Sequence, residues 1–301
     1  MSPMEQPHTC HIPVLMNEVL RGLDVQPGNI VVDGTLGGGG HTRALAALVG
    51  DEGLVASLDR DVGALDRTGP TLEGLNVRLC HADFCDIPEV LDALEVDLAD
   101  CVLLDLGLSS DQLADRSRGF SFASEGPLDL RFDTSEGEPA WRLLNRLSEK
   151  HLADIIYQYG EERFSRRIAR AIVGRRREKP FESAADFAEL VRRQIPRGRE
   201  KSRIDPATRT FQALRIAVNG ELESLRIALK RLPDRIRPGG RLAIISFHSL
   251  EDRMVKQAFR DDDRLEPVTR RPIVAGEEEL DENPRARSAK LRVALRREID
   301  L

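Results

Sequence analysis

The sequence predicts an α/β protein: a parallel sheet with crossover helices, interrupted by an inserted helical domain. Three observations predict it. Up to Asp105, short apolar runs that end on an acidic residue alternate with helix-like segments. From Trp141 to Arg203 only helical signals occur. An apolar run at Arg241–Phe247 (RLAIISF) then resumes the α/β pattern.

The first strand is Ile30–Val32, closing on Asp33 and a glycine loop, with a helix in HTRALAALVG behind it. GLVASL (Gly53–Leu58) is the second strand and ends at Asp59. VRLC (Val77–Cys80) is the third, followed by His81-Ala82-Asp83-Phe84, and a helix is expected over Pro88–Leu94. ADCVLL (Ala99–Leu104) is the fourth and ends at Asp105. Asp33, Asp59, Asp83 and Asp105 stand 26, 24 and 22 residues apart, each at or just past a strand end. Ligands of open α/β sheets bind beyond the carboxyl ends of the strands. The four acids are therefore expected to line one rim.

Beyond Asp105 the chain is loop-rich from Gly107 to Ser135. Leu143, Leu147, Ile155 and Tyr159 fit helical spacing loosely, and Phe164, Ile168 and Ile172 fit it well. Ser183 with Asp186 three residues on opens a helix carrying Phe187, Leu190 and Val191, which Pro196 and Gly198 break. Phe211, Leu214, Val218, Leu222, Leu225, Leu229 and Leu232 predict one long amphipathic helix, closed by Pro238-Gly239-Gly240. Val268–Ile273 and Lys290–Arg296 are expected to finish the sheet as a hairpin. The expected division is a discontinuous sheet domain, residues 1–112 and 210–301, and an inserted helical domain, residues 113–209.

With 301 residues, 41% hydrophobic and 32% charged, the composition suits a globular protein with a sizeable core. No apolar run reaches the roughly 18 residues that suggest a membrane span. MSPMEQPHTCHIPVL lacks the basic flank and apolar stretch of a secretory signal, so a cytoplasmic location is expected. Cys10, Cys80, Cys85 and Cys101 form no CxxC pair, and neither a disulfide framework nor a metal site is expected. The net charge of −6 taken alone argues against nucleic acid. Its distribution does not, because residues 163–215 hold 16 Lys/Arg, nearly all Arg, against 6 Asp/Glu. Two readings stand: solvated helix faces with local ion pairs, or an electrostatic footprint for nucleic acid, whose phosphates guanidinium forks grip in a bidentate way.

The glycine loop, IVVDGTLGGGGHTRAL, narrows the ligand. A P-loop needs Lys after its second glycine, and here Gly40 and His41 follow Gly39. A dinucleotide site needs GxGxxG, and Thr42 stands at the third glycine position after Gly37 and Gly39, which disfavours a dehydrogenase. S-adenosylmethionine has no phosphate and asks only for close backbone approach, which small residues allow. Asp59 is then placed to accept hydrogen bonds from the ribose hydroxyls, Phe84 to flank the adenine, and Asp105 to close the rim beside the reacting methyl.

The ordered motifs are more specific than a generic methyltransferase. They are His11-Ile-Pro-Val-Leu15 with Glu18, Asp33-Gly-Thr-Leu-Gly-Gly-Gly-Gly-His41, Leu58-Asp-Arg-Asp61 and Leu103-Leu-Asp-Leu-Gly-Leu-Ser-Ser110 with Gln112. Arg118-Gly-Phe-Ser-Phe122, Pro127-Leu-Asp-Leu-Arg131 and Thr210-Phe-Gln-Ala-Leu-Arg215 with Asn219 and Glu221 follow. Ser246-Phe-His-Ser-Leu-Glu-Asp-Arg253 and Asn283-Pro-Arg-Ala-Arg-Ser-Ala-Lys290 complete the set. Over nearly the whole chain this resembles the ribosomal small-subunit methyltransferase H family, whose members methylate N4 of a cytidine in the decoding region of 16S rRNA. One departure is Asp111, where the family pattern has Pro.

The resemblance implies a class I methyltransferase fold with an inserted helical domain and S-adenosylmethionine as cofactor. Matched residue by residue, it implies cofactor contacts at Gly39, Gly40, His41, Asp59, Phe84, Asp105 and Gln112. Asp105 is expected to orient and polarise the acceptor amine, standing where DNA amino-methyltransferases carry an Asp/Asn-Pro-Pro-aromatic motif, with the carbonyls of Leu106 and Gly107 sharing the role. Phe120 and Phe122 either stack on the target base or cover the core. His248, Glu251 and Arg253 are expected to shape the RNA pocket. The implied partner is 16S rRNA in the small subunit or a late assembly intermediate, with no membrane, and a homodimer is compatible with the sequence. Two other classes stay open: a methyltransferase of another RNA, a protein or a small molecule, and a non-enzymatic cofactor- or nucleotide-binding ribosome assembly factor.

Overall fold

The computed structural model describes residues 12–122, 126–196 and 205–298. His11, Cys10, Arg197, Gly198, Arg199 and Arg203 lie outside the described residues. The chain forms two units, one holding residues up to Asp111 and from Glu223 onward, the other Gln112–Leu222.

The first unit is built on a seven-stranded sheet. Its strands are β1 (Ile30–Asp33), β2 (Leu54–Asp59), β3 (Val77–His81), β4 (Ala99–Asp105), β5 (Ile236–Ser246), β6 (Leu265–Pro267) and β7 (Lys290–Arg296). The order is β3-β2-β1-β4-β5-β7-β6. β1 to β5 pair in parallel, and β7 is antiparallel to both β5 and β6. The helices are α1 (Met16–Leu23), α2 (Gly40–Val49), α3 (Val62–Thr68) and α4 (Ile87–Ala93). α5 (Ser110–Ala114) crosses into the second unit. There lie α6 (Ala140–Arg146), α7 (Glu149–Gly160), α8 (Ser165–Arg176), α9 (Ala184–Gln194) and α10 (Thr208–Asn219). α11 (Glu221–Arg231), α12 (Ser249–Asp261) and α13 (Glu277–Glu282) complete the chain. None of the described helices is long and apolar enough to cross a membrane.

The central strands read as near-continuous apolar runs because both faces of the sheet are covered. Neighbouring residues go to opposite sides. Val32, Leu104 and Ile244 join Leu91, Leu225, Leu229, Val255 and Phe259 in one core layer. Val31, Leu103 and Ile245 join Val19, Leu23, Leu45 and Val49 in the other. The chain runs outward from β1 to β3, then returns to β4 on the other side of β1. The topological switch point is therefore between β1 and β4, where such folds bind ligands.

The structure corrects four local expectations. The long helix is two helices, because Gly220 turns left-handed (φ 64°) and its N–H caps the carbonyl of Ile216. Pro238-Gly239-Gly240 does not close a helix but lies within β5, where the register to β4 shifts between Ala99 and Cys101. Val268–Ile273 is not the partner of β7 in a hairpin. β6 is, while the Val268 N–H donates to Val293 O and Ile273 exchanges both backbone bonds with Leu291 as an isolated bridge. On α6 and α7 the buried residues are Ala140, Leu144, Leu152, Ala153, Ile156 and Gly160, so the core face is shifted from Leu143, Ile155 and Tyr159.

The second unit extends past residue 209 to include α10, which packs on α7. Its aliphatic core carries a chain of aromatic rings. Phe181 meets Phe187 edge-on at 5.8 Å, Phe187 lies 5.3 Å from Phe211, and Phe211 meets Phe122 edge-on at 4.8 Å. Ser183 caps α9 by accepting from the Asp186 N–H, as expected.

Candidate cofactor site at the switch point

The glycine loop joins β1 to α2, and its first anchor is Asp33. This carboxylate is fully buried. It accepts from the Thr35 N–H (3.1 Å) and from the Thr42 hydroxyl (2.6 Å), and Thr42 also meets the Ser57 hydroxyl at 2.9 Å. Buried carboxylates require such partners. Thr42, the residue that spoils the dinucleotide fingerprint, thus holds the start of α2 to the end of β1.

The glycines make room first for the protein itself. Gly39 is the N-cap of α2 in the left-handed region (φ 73°), and a Cβ there would come 2.4 Å from Thr68 Cγ2. A Cβ on Gly40 would come 2.2 Å from Pro13 Cγ. Phe84 stands beside the loop: a Cβ on Gly34 would lie 3.0 Å from its Cβ.

Asp59 at the end of β2 holds the loop from the other side. Its two carboxylate oxygens accept from the N–H groups of Gly37 (2.9 Å) and Asp61 (2.8 Å). Burial raises its pKa to about 6, against the pull of those two backbone bonds and with help from the nearby charges of Asp61 and Asp33. Each oxygen keeps a second lone pair, which suits a diol.

Asp105 at the end of β4 is the most perturbed group of this rim. Its N–H donates to Thr35 Oγ1 at 2.7 Å, fixing the backbone to the loop. Its Oδ1 is buried without a partner. Its Oδ2 is 3.6 Å from His41 Nδ1. Burial pushes its pKa to about 8, the charges of Asp33 and Glu251 add to the shift, and that of Arg285 opposes it. His41 is buried at the start of α2, and its Nε2 stands 3.1 Å from the carbonyl of Val14. Burial lowers the His41 pKa, so the ring is neutral; Nε2–H donates to Val14, and Nδ1 turns its lone pair toward Asp105.

Two of the four strand-end acids thus line the rim, and the expectation of four is corrected. β1 pairs Asp33 with Ser57 and with Leu103. Asp59 and Asp105 therefore project two residues further along their strands, and Asp33 stays beneath them. Asp83 lies past the end of β3. It caps Cys85 N–H, accepts from Ser224 (2.7 Å) and pairs with Arg60 (3.2 Å).

The motif after β5 is occupied by its own helix start. His248 is the N-cap of α12 and accepts from the Glu251 N–H, while Glu251 accepts from the N–H groups of Phe247 (2.9 Å) and His248 (3.3 Å). This is a capping box. Asp252 pairs with Lys290 (3.0 Å) and Arg292 (2.8 Å), and Arg253 lies on the exposed face of α12. In the second unit Gln112 is buried on α5. Phe120 is buried and stacked on Phe132 at 5.9 Å, and Phe122, half-buried, packs on Phe211. Asn219 secures the Pro127–Arg131 motif, donating to Leu130 O (2.7 Å) and accepting from Phe132 N–H (2.8 Å).

Sequence reasoning missed a buttress from both ends of the chain. Glu279 accepts from the Leu15 N–H at 2.6 Å, and Asn283 donates to Ile12 O at 3.0 Å. These bonds hold Ile12–Leu15, which supplies Pro13 to Gly40 and the Val14 carbonyl to His41. Arg285 donates to the Ser110 hydroxyl and to Ser109 O (3.4 Å), bracing the loop after Asp105. Leu15, Asn283 and Arg285 stand in the motifs quoted above, whereas Glu279 carries no such signal.

An unpartnered buried carboxyl oxygen on an acidic rim fits a cationic ligand, and the two-armed Asp59 fits a ribose. A sulfonium amino acid joined to adenosine has both features. Residues 8–297 match the model of the MraW methylase family. The chain is 50% identical over 299 residues to ribosomal RNA small subunit methyltransferase H of Rhodopirellula baltica, covering 96% of this chain and 92% of that one. It is 48% identical over 307 residues to the protein of that name from Pelobacter propionicus (94% and 97% covered). It is 50% identical over 296 residues to the one from Deinococcus radiodurans (98% and 92% covered).

Proposed function

The chain belongs to the MraW methylase family, and on that premise we propose that it methylates the N4 amine of a decoding-site cytidine in 16S rRNA, with S-adenosylmethionine as donor. The observation that carries the reading is the Asp59–Asp105 rim about the glycine loop, at the switch point of a class I methyltransferase sheet. The relatives' names, quoted above, support the small-subunit rRNA as substrate.

When bound, the cofactor supplies an electrophilic methyl on a sulfonium. Transfer would form the new N–C bond as the C–S bond breaks, and the proton shed by the acceptor nitrogen would pass to water. The lone pair of that nitrogen is delocalised into the ring, so the chain's main contribution is alignment. Positioning of this kind supplies roughly 7–11 kcal/mol. Asp59 would hold the ribose, Phe84 would flank the adenine, and Gly39, Gly40 and His41 would shape the loop against the amino-acid part. Gln112 is a further cofactor contact on the resemblance. The free Oδ1 of Asp105 accepts from the amine and stabilises the positive charge it develops. The carbonyls of Leu106 and Gly107 share that work. The target base must leave its stack to react. Phe122 and Arg253 are assigned to the RNA on their own elements, and Phe120, His248 and Glu251 hold those elements in shape.

The test is nucleoside mass spectrometry of 16S rRNA from a strain lacking this protein. Loss of N4-methylcytidine, restored by the parent gene and not by an Asp105→Ala copy, is expected. Unchanged N4-methylcytidine would overturn the substrate and move the search to other methyl acceptors.

A further inference from the structure

Most arginines of the basic insert already have structural work. Arg176 donates to the carbonyls of Leu144 (2.6 Å) and Leu147 (2.7 Å), tying α8 to the end of α6. Arg175 lies over the Phe181 ring at 5.4 Å. Arg192 pairs with Asp205 (2.6 Å), Arg193 with Glu189, and Arg215 with Glu221 (2.7 Å). One group stands apart. Arg166, Arg167 and Arg170 on α8, with Arg163 just before it and Arg177 just after, are all exposed. Ser165, Ile168, Ala169 and Ile172 bury the opposite face. Among the described residues, Arg163, Arg166 and Arg177 have no ion-pair partner. Arg167 meets only the neutral Gln194 (3.3 Å). Arg170 meets Glu149 at 3.5 Å, but at 79% and 45% exposure such a pair is weak.

We propose that this outward face of α8 is the surface that grips the phosphate backbone of the RNA substrate. The inference rests on the rRNA reading above and deepens it. Like-charged guanidinium groups on one helix face repel one another, and a polyanion complements them. Arg166 to Arg177 spans roughly 16 Å of helix. One duplex strand presents about five phosphates over that length. Gly174 leaves the middle of the face open, since a Cβ there would meet nothing within 4 Å.

The experiment compares the parent with a variant carrying Arg163→Gln, Arg166→Gln, Arg170→Gln and Arg177→Gln, and with the matching four-Lys variant. Methyl transfer is measured on small ribosomal subunits from a strain lacking the protein, across a series of salt concentrations. The Gln variant should show a KM raised on the order of tenfold or more, and a salt slope shallower by about 3 to 4, from about 0.9 per lost duplex contact. The Lys variant should keep most of the slope. Cofactor affinity and melting temperature should match the parent in both. An unchanged KM and slope in the Gln variant, with the parent active, would overturn this inference alone. A lowered melting temperature matching the loss would also overturn it, by assigning the effect to folding. A parent that does not act on these subunits at all would bring down the rRNA reading itself.

Discussion

His41 turns Nδ1 toward Asp105 Oδ2 at 3.6 Å while its Nε2 is engaged by the Val14 carbonyl at 3.1 Å. The neutral ring brings no counter-charge to the carboxyl, so Asp105 is left to titrate with what enters the site. Asp105→Asn keeps the shape but removes the charge and turns one of the two carboxyl oxygens into an N–H donor. The expected result is loss of methyl transfer by at least about 100-fold, with folding retained. Near-parental turnover would remove Asp105 from the chemistry.

The same carboxyl makes stability depend on pH. Its folded pKa is about 8 against an ordinary 3.8. Between these values the unfolded chain has released a proton that the folded chain retains. The stabilising contribution is therefore full below the unfolded value and is lost as pH rises through the folded one. Melting temperatures of Asp105→Asn and parent should diverge in the variant's favour from about pH 5 to about pH 8. A pH-independent difference would mean that the carboxyl is ionised throughout.

Cofactor binding should release a proton. A cationic ligand lowers the pKa of a neighbouring carboxyl. Affinity for S-adenosylmethionine is thus expected to rise between about pH 6 and about pH 8. Calorimetry in buffers of different ionisation enthalpy reads the proton directly. Arg285→Gln removes the favourable charge beside Asp105 and should move the midpoint of this dependence upward. An unmoved midpoint would limit Arg285 to bracing Ser109 and Ser110.

Gly39→Ala places a Cβ 2.4 Å from Thr68 Cγ2 at φ 73°. Chemical denaturation should show a loss of roughly 1–3 kcal/mol. Adding Thr68→Ser removes the methyl group but keeps the hydroxyl that donates to Gly37 O (2.9 Å). The double variant should recover part of the loss and retain only the backbone strain. No recovery would show that the left-handed backbone alone demands glycine.

Thr42→Val tests the anchor of the loop. It leaves the buried Asp33 with one hydroxyl fewer and should cost about 1–3 kcal/mol. Equal stability of variant and parent would count against Asp33 as the anchor.

The strands, their order along the chain and the helical interruption were legible because burial on both sheet faces writes a local pattern of apolar runs. The capping Ser183 was legible for a similar reason, since its partner is three residues away. Gly220 was missed as a helix break because the apolar spacing on either side stays in phase through it. Phe120 and Phe122 left two readings open, since a sequence gives ring identity but not the neighbour it stacks on.

The sequence by itself determined that acids stand at or just past the ends of the first four strands, that a glycine loop lies between the first strand and the helix after it, and that arginine is concentrated in the insert. Only the tertiary structure decided which of these groups are left to act. The register of β1 against β2 and β4 sinks Asp33 and leaves Asp59 and Asp105 on the rim. The bond between Leu15 and Glu279 spans 264 residues, and the one between Asp105 and Thr35 spans 70. Local periodicity carries no information about contacts of that separation. The same holds for the arginines, whose roles depend on which carbonyl, ring or carboxylate the fold brings to each.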